Sequence, residues 1–247
     1  MLTDKVLSVA HRGSSAYAPE NTLAAVQVAI DSGCDLVEVD VQRTRDGALV
    51  LVHDTDLERT TGRRVPVADV ALEELRRLDA GSWFSQVYAG ERVPTLDELL
   101  DRLDGSATGL LLEIKRPDLY PGIAVDVARL LRARRTPVDA VVVQSFDHHV
   151  MRQFSRYAPE FTVGLLGHPP VRRLRELARW AAYVNPHHRR ATSGYVTAVH
   201  AAGMRSMVWT ADKPADLQRA LSLGVDGVIS NRPDALQRIL EERLIPA

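Results

Sequence analysis

From residue 109 to residue 242 one pattern recurs: a short β-rich apolar run, a stretch with apolar residues at helical spacing, then another such run. The strand runs are 109–115, 140–144, 162–166, a short one at Tyr183, 205–210 and 226–230. The helices between them are expected to end at Arg135, Tyr157, Arg179, Ala202 and Leu223, and a last one at Glu242. Such alternation calls for parallel strands, because a helix-length crossover is what returns the chain to the same direction. Upstream, runs 6–10 and 36–42 flank a helix at 22–32, with Asn21 as candidate N-cap and Gly33 just past the end. About eight parallel strands result, the number that closes an α/β barrel, and 247 residues suit one such domain. The expected fold is therefore a (β/α)8 TIM barrel spanning 1–247 as a single domain. An open doubly wound sheet is the competing architecture, but no G-x-G-x-x-G follows the first strand.

Residues 55–108 break the rhythm and are read as a small insertion after the second strand and its hairpin. They hold short helical patterns at 72–78 and 95–103 and a turn, Gly81, Ser82, Trp83, Phe84. The hairpin is signalled by Asp46-Gly47 between apolar runs, a pair suited to a two-residue turn. Residues 48–52 should fold back antiparallel and return His53 and Asp54 towards the sheet.

A strand sends alternate side chains to opposite faces, so Glu38 and Asp40 share one face and Val37, Val39 and Val41 the other. In a barrel the first face points inward, where unpaired carboxylates cost several kcal/mol each, to about that order. A hard divalent ion with oxygen ligands is the simplest compensation, and Glu113 can complete the set for Mg²⁺ or Ca²⁺. Active sites of such barrels lie at the C-terminal strand ends. There the first strand ends at His11 and Arg12, the third carries Glu113 and Lys115, the fourth Gln144 and the seventh Trp209. Arg12 and Lys115 add positive charge suited to a phosphate. Lys115 has a competing structural role, as a partner for Glu113 or Asp40. His11 and His53 remain as an acid/base pair for activating a nucleophile and protonating an alkoxide near neutral pH. The constellation describes metal-assisted phosphodiester cleavage.

Composition narrows the alternatives. A formal net charge of -1 argues against a nucleic-acid partner. The clustered Arg132, Arg134 and Arg135 read as a solvated helix face. The single cysteine, Cys34, excludes an internal disulfide framework and the usual cysteine-rich zinc sites. The paired His148-His149 and His187-His188 lack partners at ligand spacing and read as surface or loop residues. No run of 18 apolar residues occurs, and the stretch before His11 is short for a leader core, so a cytoplasmic protein without stable membrane insertion is expected.

The chain resembles the glycerophosphodiester phosphodiesterase family over nearly its whole length. The motifs are AHRG at 10–13, APENT at 18–22, EVDVQRTRDG at 38–47, VHD at 52–54, AGSWF at 80–84, VPTLDE at 93–98, LEIK at 112–115, QSF at 144–146, VWT at 208–210 and DGVISNRP at 226–233. Each is weak alone, and their order and spacing together are specific. The resemblance implies a barrel with a small insertion over its mouth and a divalent ion held by Glu38, Asp40 and Glu113. It implies His11 and His53 as general acid and base, Arg12 and Lys115 as phosphate contacts, and Glu20 and Asn21 as supports for Arg12 or the metal shell. Phe146 and Trp209 would line the pocket for the glycerol or alcohol moiety of a small phosphodiester, and the products would be sn-glycerol 3-phosphate and an alcohol. The seventh strand departs from the family's frequent Trp-Thr-Val-Asn, reading Trp209-Thr210-Ala211-Asp212, which bears on pocket polarity. Two other readings are a lysophospholipase D-type phosphodiesterase and a catalytically silent phosphate-ester binding protein.

Overall fold

A computed structural model describes residues 5–244. Its strands are β1 (Leu7–His11), β2 (Leu36–Arg43), β3 (Leu49–Leu51), β4 (Asp56–Leu57), β5 (Arg63–Pro66), β6 (Gly109–Ile114), β7 (Val141–Ser145), β8 (Thr162–Leu166), β9 (Tyr183–Asn185), β10 (Met207–Val208) and β11 (Gly227–Ser230). The helices are α1 (Leu23–Asp31), α2 (Glu58–Thr61), α3 (Leu72–Leu75), α4 (Leu96–Leu103), α5 (Ile123–Ala133), α6 (His148–Tyr157), α7 (Val171–Leu177), α8 (Ser193–Ala201), α9 (Pro214–Ser222) and α10 (Pro233–Leu244).

Hydrogen-bonded neighbours follow the order β10, β11, β1, β2, β6, β7, β8, β9, and every pair along that path is parallel. Isolated parallel bridges at Tyr183–Arg205 and His187–Trp209 join β9 to β10. The eight strands thus make the nearly closed TIM barrel that the alternation implies. The seventh strand is shorter than the predicted 205–210, because Asn185 Oδ1 accepts the Met207 amide at 2.9 Å and replaces a ladder bond with a side chain. Among the described residues no helix is long and apolar enough to cross a membrane.

Alternation along the strands builds two cores. Val37, Val39 and Val41 pack outward with Leu110, Leu112 and Ile114 beneath the helices. Inside, Leu7, Val9, Leu36, Leu111, Val142, Tyr183, Met207 and Ile229 fill the barrel base. Each fully buried aliphatic is worth about 1.5–3 kcal/mol, and a one-residue slip would exchange these rows with the carboxylates. Register is thereby pinned.

Three local details differ from the sequence expectation. Thr22, not Asn21, caps α1, its side chain accepting from the Ala25 amide; Asn21 stands in the left-handed region at φ 57° with its side chain committed elsewhere. The β2–β3 connection closes with Thr44 N–H on Ala48 O and Gly47 N–H on Thr44 O. It therefore holds three residues, Arg45 to Gly47, rather than two, with Gly47 at φ 92° taking the left-handed position that this longer turn requires. Helix α4 belongs to the barrel: Thr95 and Glu98 form a capping box, and Leu96, Leu99 and Leu100 join the main core. The insertion proper ends before it and has its own cluster, in which Leu57, Val67, Val70, Leu75 and Val93 pack on Val50 and Val52 of the hairpin arm.

Candidate active site

The inward row of β2 reads Leu36, Glu38, Asp40, Gln42, and its ladder sets Asp40 beside Glu113 of β6. Carboxylate oxygens of Glu38, Asp40 and Glu113 lie within 4.8 Å of one another, all three residues buried. Among the described residues this is the one such group. Two cations share it: Lys115 Nζ stands 2.8 Å from Glu113 and 3.6 Å from Asp40, and Arg12 Nε 3.3 Å from Asp40. Lys115 thus does pair with the carboxylates while also lining the cavity.

The charge balance is uneven. Burial first, then Asp40 and Glu113, push Glu38 well above the ordinary carboxylate range. Burial and Asp40 raise Glu113 to about 7 against the pull of Lys115. Burial would raise Asp40 too, but Lys115 and Arg12 outweigh it and hold this carboxyl low. Burial and mutual repulsion thus disfavour the ionised form at Glu38 and Glu113, while the two cations favour it at Asp40. Three buried oxygen donors on two rigid strands fit a hard divalent cation.

The turn after β1 delivers Arg12. Its amide donates to Glu38 Oε2 at 2.9 Å, its guanidinium to Glu20 at 2.9 Å, and its backbone sits at φ 55°. Gly13 follows at φ 77°, where a β-carbon would stand 2.6 Å from the Ala25 backbone, so this close crossing over α1 demands glycine. Asn21 brackets Asp40, donating to Oδ2 at 2.9 Å and accepting the Asp40 amide at 3.1 Å. Glu20 and Asn21 therefore grip Arg12 and Asp40 and are not part of the cavity wall.

The hairpin arm brings back His53. Gln42, continuing the inward row, donates to the carbonyls of Val52 and Asp54 at 2.8 and 2.6 Å, and Tyr120 donates to its other end. His53 is pinned between those carbonyls, and its Nδ1 meets Asp54 Oδ1 at 2.7 Å. His11, across the cavity, places Nδ1 2.7 Å from Asn231 Oδ1. Burial, then Arg12, lower the His11 pKa to about 4. One cleft is lined by His11, Arg12, Glu38, His53, Glu113, Lys115, Gln144, Phe146, Leu166, Trp209 and Ile229. Phe146 and Trp209 meet edge to face at 5.6 Å on its rim, and Trp209 donates to Asn185 O.

A model of the glycerophosphoryl diester phosphodiesterase family matches residues 11–235. The chain belongs to the glycerophosphoryl diester phosphodiesterase family. Membership places it among phosphoric diester hydrolases. It is 35% identical over 241 residues to a glycerophosphodiester phosphodiesterase of Caldanaerobacter subterraneus subsp. tengcongensis, covering 96% of this chain and 99% of that one. A phosphodiesterase of Oleispira antarctica, solved with the product sn-glycerol-3-phosphate, superposes with TM-score 0.88 at 31% identity, covering 94% of this chain and 96% of that one. The glycerophosphodiester phosphodiesterase of Agrobacterium tumefaciens superposes with TM-score 0.81 at 31% identity, over 95% of this chain and all (100%) of the other.

Relative to the family motifs, the structure adds partners that the sequence reading passed over. Arg59, on α2 of the insertion, forms two bonds to Glu20 at 2.8 and 2.7 Å and one to Asp54 at 2.6 Å. It also lies 5.7 Å over the Trp83 ring. Arg12, Glu20, Arg59, Asp54 and His53 are thus one chain of contacts across both sides of the cleft. Nothing local marks Arg59; Gln42, by contrast, is legible as the fourth inward residue of β2. Asp212 does not line the cleft; it reaches Ser230 and Asn231 instead. The expected change in pocket polarity at the seventh strand therefore falls behind the cavity wall. The histidine pairs at 148–149 and 187–188 join no acidic cluster among the described residues, and Cys34 is buried with its thiol pushed up to about 11, chiefly by burial.

Proposed function

We propose that this chain hydrolyses glycerophosphodiesters to sn-glycerol 3-phosphate and an alcohol, with Mg²⁺ or Ca²⁺ held by Glu38, Asp40 and Glu113. The observation that carries the proposal is the buried carboxylate triad facing two histidines across one cleft. When bound, a divalent ion supplies Lewis-acid polarisation of the phosphoryl oxygens.

The protein's own groups do the rest. Arg12 presents a planar fork to phosphoryl oxygens and Lys115 a point charge, and the carboxylates now engaging them keep both aimed inward. One of His11 and His53 takes the proton from the attacking hydroxyl, of water or of the neighbouring glycerol carbon. The other protonates the departing alcohol oxygen. Glu20 and Asn21 hold Arg12 and Asp40 in place, and Phe146 and Trp209 form the wall against which the organic part of the ester packs.

One observation favours a second reading, cleavage of lysophospholipids: Tyr17, Trp83 and Val87 are 38%, 41% and 86% exposed. Tyr88 of the insertion donates to Tyr17 O at 2.8 Å, joining the insertion to the loop that follows β1. The deciding assay is release of glycerol 3-phosphate from glycerophosphocholine with EDTA, then with Mg²⁺ or Ca²⁺, alongside His11→Ala and with lysophosphatidylcholine as the rival substrate. Metal-dependent turnover lost in the variant is expected. No turnover of either substrate with either metal would leave a silent phosphate-ester binder.

A further inference from the structure

The contacts behind His11 determine which of its ring nitrogens is free. Asp212, just past β10, receives three hydrogen bonds: Ser230 Oγ and the Asn231 amide on Oδ1 at 3.0 and 2.8 Å, and Asn231 Nδ2 on Oδ2 at 2.7 Å. An ionised carboxylate can only accept. The amide nitrogen of Asn231 must therefore be the end that faces Asp212, since the reverse orientation would set a carbonyl oxygen against a carboxylate oxygen. That leaves Asn231 Oδ1 facing His11 Nδ1 and Ser15 Oγ, each at 2.7 Å. A carbonyl oxygen accepts from both, so Ser15 donates its hydroxyl proton and His11 donates from Nδ1. The ring is left with Nε2 carrying the lone pair.

We infer that Asp212, acting through Asn231, is a positioning residue that holds His11 as the Nδ1-protonated tautomer and so presents Nε2 to the reaction. The inference deepens the proposed function, since it rests on His11 taking part in proton transfer. Asp212 lies outside both the cleft lining and the carboxylate triad; its positioning effect travels through one amide whose direction it sets. His53 reaches the same tautomer more directly, because Asp54 Oδ1 contacts its Nδ1 without an intermediary.

The test compares Asp212→Asn, the double exchange Asp212→Asn with Asn231→Asp, and His11→Ala, reading kcat, KM and the nitrogen NMR spectrum of the histidine rings in the metal-loaded protein. In Asp212→Asn nothing prevents Asn231 from turning over. A kcat loss on the order of 10²-fold is expected, the lower end of what a positioned acid or base contributes, with KM little changed and the Nδ1–H signal of His11 diminished. The double exchange puts a carboxylate against His11 and an amide donor behind it, so it should recover the Nδ1–H signal and at least about tenfold in kcat, a part of that span. Unchanged kcat and an unchanged His11 spectrum in Asp212→Asn would overturn the inference, as would an Nε2–H tautomer in the unmutated protein. Should the single variant not fold, the double exchange decides alone: folded without an Nδ1–H signal, it also overturns the inference. Wild-type turnover in His11→Ala would instead sink the catalytic reading of His11, leaving the spectrum to judge the tautomer separately.

Discussion

The barrel interior has two layers made by the same strands and held by opposite means. At the base, Leu111, Tyr183, Met207 and their neighbours exclude water and pack side chain to side chain. Two residues further along, the same inward rows turn into Glu38, Asp40, Glu113 and Lys115, where burial is a cost offset by countercharge. The lower layer gives a rigid closed wall; the upper layer uses that rigidity to keep like charges closer than they would stay in solution. Stability and chemistry are thus separated by about 7 Å along a strand, two residues of rise.

Substitutions can break that separation. The largest effect is expected from the upper layer: His53→Ala should lower kcat by about 10²–10⁴-fold with thermal stability nearly unchanged, checked by steady-state kinetics beside a melting curve. Leu111→Ala in the lower layer should do the reverse, costing about 2–5 kcal/mol by denaturant unfolding while the surviving folded fraction keeps its kcat.

A smaller effect concerns pH and sharpens the contrast. Glu113 has its carboxyl raised from 4.5 to about 7, so the folded state holds a proton that the unfolded state has released across that window. The contribution of Glu113 to the stability of the metal-free protein should fall as pH rises from about 4.5 through 7, that of Glu38 falls likewise, and that of His11, lowered to about 4, rises over part of the window. Asp40, held low, acts in the opposite sense at more acid pH. Added Mg²⁺ or Ca²⁺ should flatten the Glu113 contribution, measured as the Tm of the unmutated protein minus that of Glu113→Gln against pH, with and without EDTA; a metal-free difference that rises over that window would contradict the charge imbalance. The least effect is at Cys34, whose buried thiol at about 11 should resist alkylation at pH 8 until the protein is unfolded, as mass spectrometry can follow.

Much of the architecture was legible because its determinants are local. Period-two alternation placed Glu38 and Asp40 on one face and the valines on the other, and the strand–helix rhythm announced the closed parallel sheet. Where the reading slipped, two local signals competed or a distant partner intervened. Asn21 and Thr22 are both good caps, and Asp40 claimed the first. Asp46-Gly47 suits a two-residue turn, but Thr44 pairing with Ala48 lengthened it by one. The stretch 95–103 looked like insertion because it follows one, yet its leucine stripe packs into the barrel core.

The sequence by itself determined which residues point inward and which chemistry their types permit, since strand pleat and the charge, donor and acceptor types of side chains are properties of short segments. Only the tertiary structure decided what stands behind them. Arg59 meets Asp54 and Glu20 from a stretch of the insertion that none of the family motifs covers, and His11 makes its hydrogen bond to a residue 220 positions away. The physical reason is closure: a barrel brings its first and last strands side by side, so the groups that orient a side chain at one end of the chain are set by the other end, beyond the reach of any local pattern.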